Sequence, residues 1–192
     1  MQTVVLTLAL LTVADDKGPK TDPKGLKMEL SIIGKTTTYP LGAVRSAEDL
    51  KKRAEAGEPL PKPPDVELKV VVKNTGDRPV RLWAKGDPVV LTLELKGEGA
   101  VNLEPRLAFT TEFRTPEAVE VPPGKTVEFS VKSLLSGFRG QSKSSYWTKP
   151  GEYELVATLK TAVQPIPEGA KEQEGFGLVT LTSAPLKLKV EK

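Results

Sequence analysis

The sequence predicts an all-β fold: an antiparallel β-sandwich of roughly seven to nine strands, with one short surface helix inserted after the first strand. Three observations carry that expectation. Apolar and polar residues alternate along most of the chain, as in Tyr153-Glu-Leu-Val-Ala-Thr-Leu159, the pattern of a strand with one face on a core and the other in water. Turn-forming groups such as Asn74-Thr-Gly76, Pro122-Pro-Gly124 and Pro150-Gly151 separate the alternating runs. Only one segment, Ser46 to Gly57, changes to a helical period. At 192 residues the chain suits one well-buried domain.

Met1 to Ala14 is an apolar run that suits a signal-peptide core and is too short to span a bilayer. Thr12-Val13-Ala14 offers a small-residue cleavage site, although the usual basic leader is absent. A buried first strand is the other reading of these residues. The expectation is export, to the periplasm or the extracellular space, with residues 15–25 as a flexible polar spacer. Residues 26–192 form the sandwich domain.

Leu26, Met28, Leu30 and Ile32 alternate with polar residues and make the first strand. Ser46 can cap a helix that has Glu48 and Asp49 in its first turn and Gly57 at its end. Its apolar face is thin (Ala47, Leu50, Ala54), so a surface position is expected. Pro59 to Pro64 is too rich in proline for a regular element and serves as a stiff connector, which completes an insertion at 45–64. Inward-facing sets follow: Val66, Leu68, Val70 and Val72; the short Val80–Trp83 strand; Val89, Leu91, Leu93 and Leu95; and Val127, Phe129 and Val131. Leu107–Phe113 and Glu117–Val121 are weaker strand candidates. Two long loops, Ser136–Lys149 and Gln164–Gly175, flank the Tyr153 strand. Ser183-Ala-Pro185 interrupts the last strand, which is expected at a sheet edge because proline is tolerated there.

Lys73-Asn-Thr-Gly76, Pro122-Pro-Gly-Lys125, Pro150-Gly-Glu-Tyr153 and Ser183-Ala-Pro185 resemble features of bacterial immunoglobulin-like domains. The nearest comparison is with the fibronectin-III-like and cell-adhesion-related (CARDB-type) modules of exported proteins. The resemblance covers residues 65–192 and implies an immunoglobulin-like sandwich at the cell surface, with no catalytic residue to carry over. It also implies that Tyr153 acts as a tyrosine corner, its ring in the core and its hydroxyl on a nearby backbone group.

Composition narrows the chemistry. With no cysteine and no histidine, disulfides, thiolate zinc sites, Ser-His-Asp triads and blue-copper sites are excluded. The net charge is +3 and its cations are spread along strands, without the basic-aromatic clusters of a nucleic-acid surface. Glu67, Glu94, Glu128 and Glu154 alternate with apolar residues, which places them on solvated faces unsuited to proton transfer. No Asp-x-Asp-x-Asp-Gly run suggests calcium, and Ser142-Lys143 lacks a Ser-x-x-Lys arrangement. No cofactor is expected.

The best candidate surface is Ser136–Trp147, with Phe138, Tyr146 and Trp147 as aromatics and Arg139 and Lys143 as cations. Rings there could stack on a sugar or anchor a protein, and Arg139 could hold an anionic group. The plainer alternative is an inter-strand loop whose Tyr146 and Trp147 fold back over the core. Trp83, beside Asp87, is a second candidate that could equally plug the core. The expected function is non-enzymatic: binding of a protein or cell-surface partner, or structural support. Carbohydrate binding through Trp83, Tyr146 and Trp147 is the alternative, and a loop-presenting inhibitor domain is the third.

Overall fold

The computed structural model describes residues 25–42, 46–87, 89–104, 113–138 and 142–192. The signal-peptide segment 1–14, almost all of the 15–25 spacer, most of the Leu107–Phe113 strand candidate and Arg139 lie outside them. The fold is an all-β sandwich. Fourteen strands are present among the described residues, more than predicted, because several are short pieces of two to five residues inside segments that read as turns or loops.

The first sheet is antiparallel, with β3 (Asp65–Asn74) between β1 (Met28–Gly34) and β8 (Thr126–Ser133). Leu30, Ile32, Val66, Leu68, Val70, Val72 and Val131 point from it into the core, as their alternation requires. The second sheet is organised by β11 (Gly151–Gln164), which is 14 residues long. One edge of β11 pairs with β14 (Leu186–Glu191) and then β13 (Phe176–Thr182). The other edge pairs with β5 (Val90–Lys96) and then β4 (Val80–Lys85). Tyr153, Leu155, Ala157 and Leu159 are buried between the sheets and belong to one continuous apolar core. Of the residues between them, Glu154 is exposed and Val156 and Thr158 are half-buried.

The Ser183-Ala-Pro185 break lies where β11 changes partners. Ser183 fills the gap: its N–H donates to Ala157 O at 2.9 Å, and its Oγ accepts from Ala157 N at 3.0 Å. The prediction that the last strand is an edge is corrected. Beyond β14 lies β2 (Thr38–Pro40), paired parallel to it, with Lys189 N–H donating to Thr37 O at 2.8 Å and Leu41 N–H to Glu191 O at 2.7 Å. The proline is accommodated by the break, not by an edge.

The helix, α1 (Ala47–Ala56), lies between β2 and β3 and has the predicted caps. Ser46 Oγ accepts from Asp49 N at 3.1 Å, and Gly57 closes the helix at φ 70°. Its thin apolar face has a partner. Leu50 is buried with Val101, Leu103 and Tyr146 in a second, smaller core. That core lies over β6 (Ala100–Leu103) and β10 (Lys143–Trp147), which form a three-stranded sheet with β9 (Leu135–Ser136). The predicted Ser136–Lys149 loop therefore contains the end of β9 and the whole of β10. The 164–175 segment likewise holds β12 (Lys171–Gln173), joined to β13 by Glu174 and Gly175, with φ of 51° and 78°. Positive φ at both positions matches the right-handed twist of a tight hairpin.

Asn74 ties the turns at one end together. Its Nδ2 donates to Arg78 O at 2.7 Å and to Val121 O at 2.8 Å, in the last residue of β7 (Glu117–Val121), while its Oδ1 accepts from Gly76 N at 2.9 Å. All three of these side-chain hydrogen bonds go to backbone. Among the described residues no buried side-chain polar atom lacks a partner, and no helix is long and apolar enough to cross a membrane.

The three tyrosines give the fold a pH limit. Tyr39, Tyr146 and Tyr153 hydroxyls donate to Thr36 O, Pro61 O and Lys149 O at 3.1, 2.7 and 2.7 Å. Burial raises all three phenols above their ordinary value. A raised folded-state pKa contributes stability that is present below the unfolded value of about 10 and lost as pH rises through the folded values. With no histidine or cysteine, no side chain has an ordinary pKa between about 5 and 8. Stability should be flat across that window and fall above about pH 10. Ultraviolet titration at the phenolate band should show all three tyrosines ionising late and together with unfolding. A tyrosine that ionises normally while the fold persists would contradict the burial.

Candidate functional site

The structure disperses the sequence-predicted site residues. Tyr146 and Trp147 are neighbours on β10 and so face opposite ways. Tyr146 points under α1, with its hydroxyl on Pro61 O. Trp147 points into the main core, stacked on Tyr39 at 5.5 Å between centroids and tilted against Tyr153 at 6.4 Å. Trp83 is also in the main core, 4.8 Å from the Phe176 ring. The three rings are 4–5 % exposed, so none offers a free face for stacking on a sugar. Lys143 opens β10 and lies 3.8 Å from Glu104. Among the described candidates, Phe138 is the one that lines an open groove.

That site is a groove of about 580 Å³ along one side of the sandwich. Its floor is apolar and includes Val89, Leu91, Leu93, Phe129 and Val131. Its walls are the edge of β8, the edge of β5 and the 135–138 segment that runs between the sheets. Side chains and turns fill the outer edge of β5. Leu93 N–H donates to Ser136 Oγ at 2.9 Å, and Gly137 N–H donates to Leu91 O at 2.7 Å. Further along, the Asn102 amide pairs with Leu95 N and O at 3.0 and 2.8 Å, as a strand backbone would.

The mouth of the groove is built on a glycine. Gly86 has φ 79°, and a Cβ there would lie 2.2 Å from Thr115 O, so the β4–β5 turn presses directly against the 113–116 segment. Asp87 N–H donates to Arg114 O at 3.0 Å across the same contact. Arg114 is thereby fixed beside Asp87. Its Nε and Nη2 donate to Asp87 Oδ1 at 3.3 and 3.2 Å, and its Nη2 also donates to Val89 O at 3.1 Å. The Phe138 ring lies over the guanidinium, 3.6 Å from its centre. Arg114, braced by Asp87, and the Phe138 ring together make a rim above an apolar floor, an arrangement suited to anchoring a side chain of another protein.

No family model matches this sequence, and no curated protein matches it.

Arg114, Lys132 and Leu135 were not legible as site residues. Arg114 sits in Thr111-Glu-Phe-Arg-Thr-Pro116, which has no period and no motif. Leu135, 56 % exposed at the groove wall, reads as one more core leucine. A second hollow of about 790 Å³ touches Ile33, Asp65 and Lys69. There Lys69 pairs with Glu128, and Asp65 with Lys62, both at 2.7 Å, while Lys132 borders this hollow as well as the groove.

Proposed function

We propose that this chain is a non-enzymatic, exported immunoglobulin-like domain that binds another protein through the groove beside β8. The observation that carries this reading is the rim of Arg114, Asp87 and Phe138, held rigidly over an apolar floor. An exposed Leu135 at the same wall adds an apolar contact point. The likeness to bacterial immunoglobulin-like modules supports the reading. Tyr153 donates to Lys149 O four residues upstream, like a tyrosine corner, and the Ser183 break falls before the last strand. The carbohydrate alternative has no support from the three buried rings. The inhibitor alternative needs a free loop where β9 and β10 are paired strands.

A photo-crosslinking residue at Leu135, compared with one at the exposed Thr180 on β13, tests the proposal in the native host. A discrete adduct from position 135, absent from position 180, digested by protease and lost when Phe138→Asp is added, is the expected result. Equal adducts from both positions, or an adduct that resists protease and yields to glycosidases, would overturn it.

A further inference from the structure

The walls of the groove say how a partner would sit in it. All five residues from Phe129 to Ser133 line the hollow. Successive side chains on a strand point to opposite faces of the sheet. A hollow touched by five consecutive residues therefore runs along the edge of the strand, where backbone N–H and C=O groups are presented. Among the described residues β8 pairs only with β3. The facing edge of β5 is already engaged by Ser136, Gly137 and Asn102, so among the described residues β8 supplies the open ladder.

Among the described residues, three cations and two carboxylates border this edge, and they pair off except for one cation. Lys85, Arg114 and Lys132 line the groove against Glu117. Lys85 is paired with Glu117 at 2.9 Å, and Arg114 with Asp87 at 3.2 Å. Lys132, exposed on β8, has no ion pair among the described residues. An incoming acidic segment would meet it directly.

We infer that the partner contributes an extended, acidic protein segment that adds as a strand to the outer edge of β8. Its backbone completes the β8 ladder over Phe129 to Ser133, a run of about 13 Å at about 3.3 Å per residue. Its alternate side chains enter the apolar floor, and its carboxylates approach Lys132 and the Arg114 rim. Main-chain bonds supply the affinity and the alternate pockets supply the selectivity. This inference rests on the groove being the protein-binding surface proposed above.

The test is selection from a displayed library of random dodecapeptides against the full chain. The peptides most enriched are then synthesised, both unmodified and N-methylated at alternate amides. The expected consensus alternates apolar and acidic residues. N-methylation should weaken binding by about a hundredfold, and Lys132→Glu, at an exposed position that folding does not need, by about tenfold. Hydrogen exchange should slow at β8 amides between residues 129 and 133 and not on β1. If peptides bind at the groove but lack alternation, or tolerate N-methylation, strand addition is wrong and the groove remains a protein site. If nothing is enriched while Leu135 still crosslinks to a protein, strand addition is again wrong. If neither method finds a partner, both readings fall.

Discussion

Replacing Trp147 by alanine is expected to destabilise the domain by about 3–5 kcal/mol, the usual cost of removing a large buried aromatic. The ring joins three elements that have few other ties at this end of the sandwich. It stacks on Tyr39 from β2, sits on β10 itself, and leans on Tyr153 from β11. Its removal leaves a void that the backbone, tied to β6 at Ala100, cannot readily close. Against a typical stability of about 5–15 kcal/mol, such a loss is a large fraction of the whole. The midpoint of thermal unfolding should fall by roughly 10–15 °C for a domain of this size. Chemical denaturation followed by circular dichroism measures it. Trp147→Phe, which keeps the stack, should recover more than half the loss. A surface platform for a ligand would behave differently, since exposed substitutions fall within about 0.5 kcal/mol. A loss that small would return Trp147 to the list of binding residues.

The same residue shows where sequence reading stopped. The Asp65–Asn74 and Gly151–Gln164 strands were legible because each meets core on one face and water on the other for most of its length, so alternation records the burial directly. The capped helix was legible because Ser46 and Gly57 mark its ends in local chemistry. The strand Lys143-Ser-Ser-Tyr-Trp147 was not. It is covered on both faces, by the main core on one side and by α1 on the other, so it shows no alternation. Its buried hydroxyls also look like loop residues. Ser145 is buried yet satisfied, its Oγ donating to Asn102 Oδ1 at 2.7 Å and its N–H to Leu134 O at 2.9 Å. Polar composition signals a loop only when the polar groups reach water. Similarly, two of the three aromatics that suggested a binding loop, Tyr146 and Trp147, are those that hold this hidden strand in place. The groove was illegible for a different reason. Its parts, Gly86, Arg114, Phe138 and the edge of β8, come from four separate stretches of chain and share no motif.

Asn74→Asp should cost about 3–5 kcal/mol at pH 7, although it changes a single side-chain atom. The amide nitrogen of Asn74 donates to two backbone carbonyls, Arg78 O at 2.7 Å and Val121 O at 2.8 Å, at a fully buried position. A carboxylate there has no proton to donate and would face both carbonyl oxygens as an anion. The other oxygen could still accept from Gly76 N, as Oδ1 does now at 2.9 Å, so only part of the arrangement survives. Burial and the two carbonyls would raise the folded-state pKa of the new carboxyl above its unfolded value of about 3.9. The sign of the linkage follows. The protonated acid can donate to one carbonyl, so this group's contribution to stability is greatest below about pH 4 and declines as pH rises through the raised folded pKa. The deficit relative to the parent should therefore be smallest in acid and fully developed at neutral pH, measured as the difference in denaturation midpoint at matched pH. Asn74→Ala, which removes both donors without adding a charge, should show a deficit independent of pH between about 4 and 8. A pH-independent deficit in the aspartate variant would mean that the side chain swings out to water, and that the 74–79 turn and the end of β7 are held together by their backbone bonds alone.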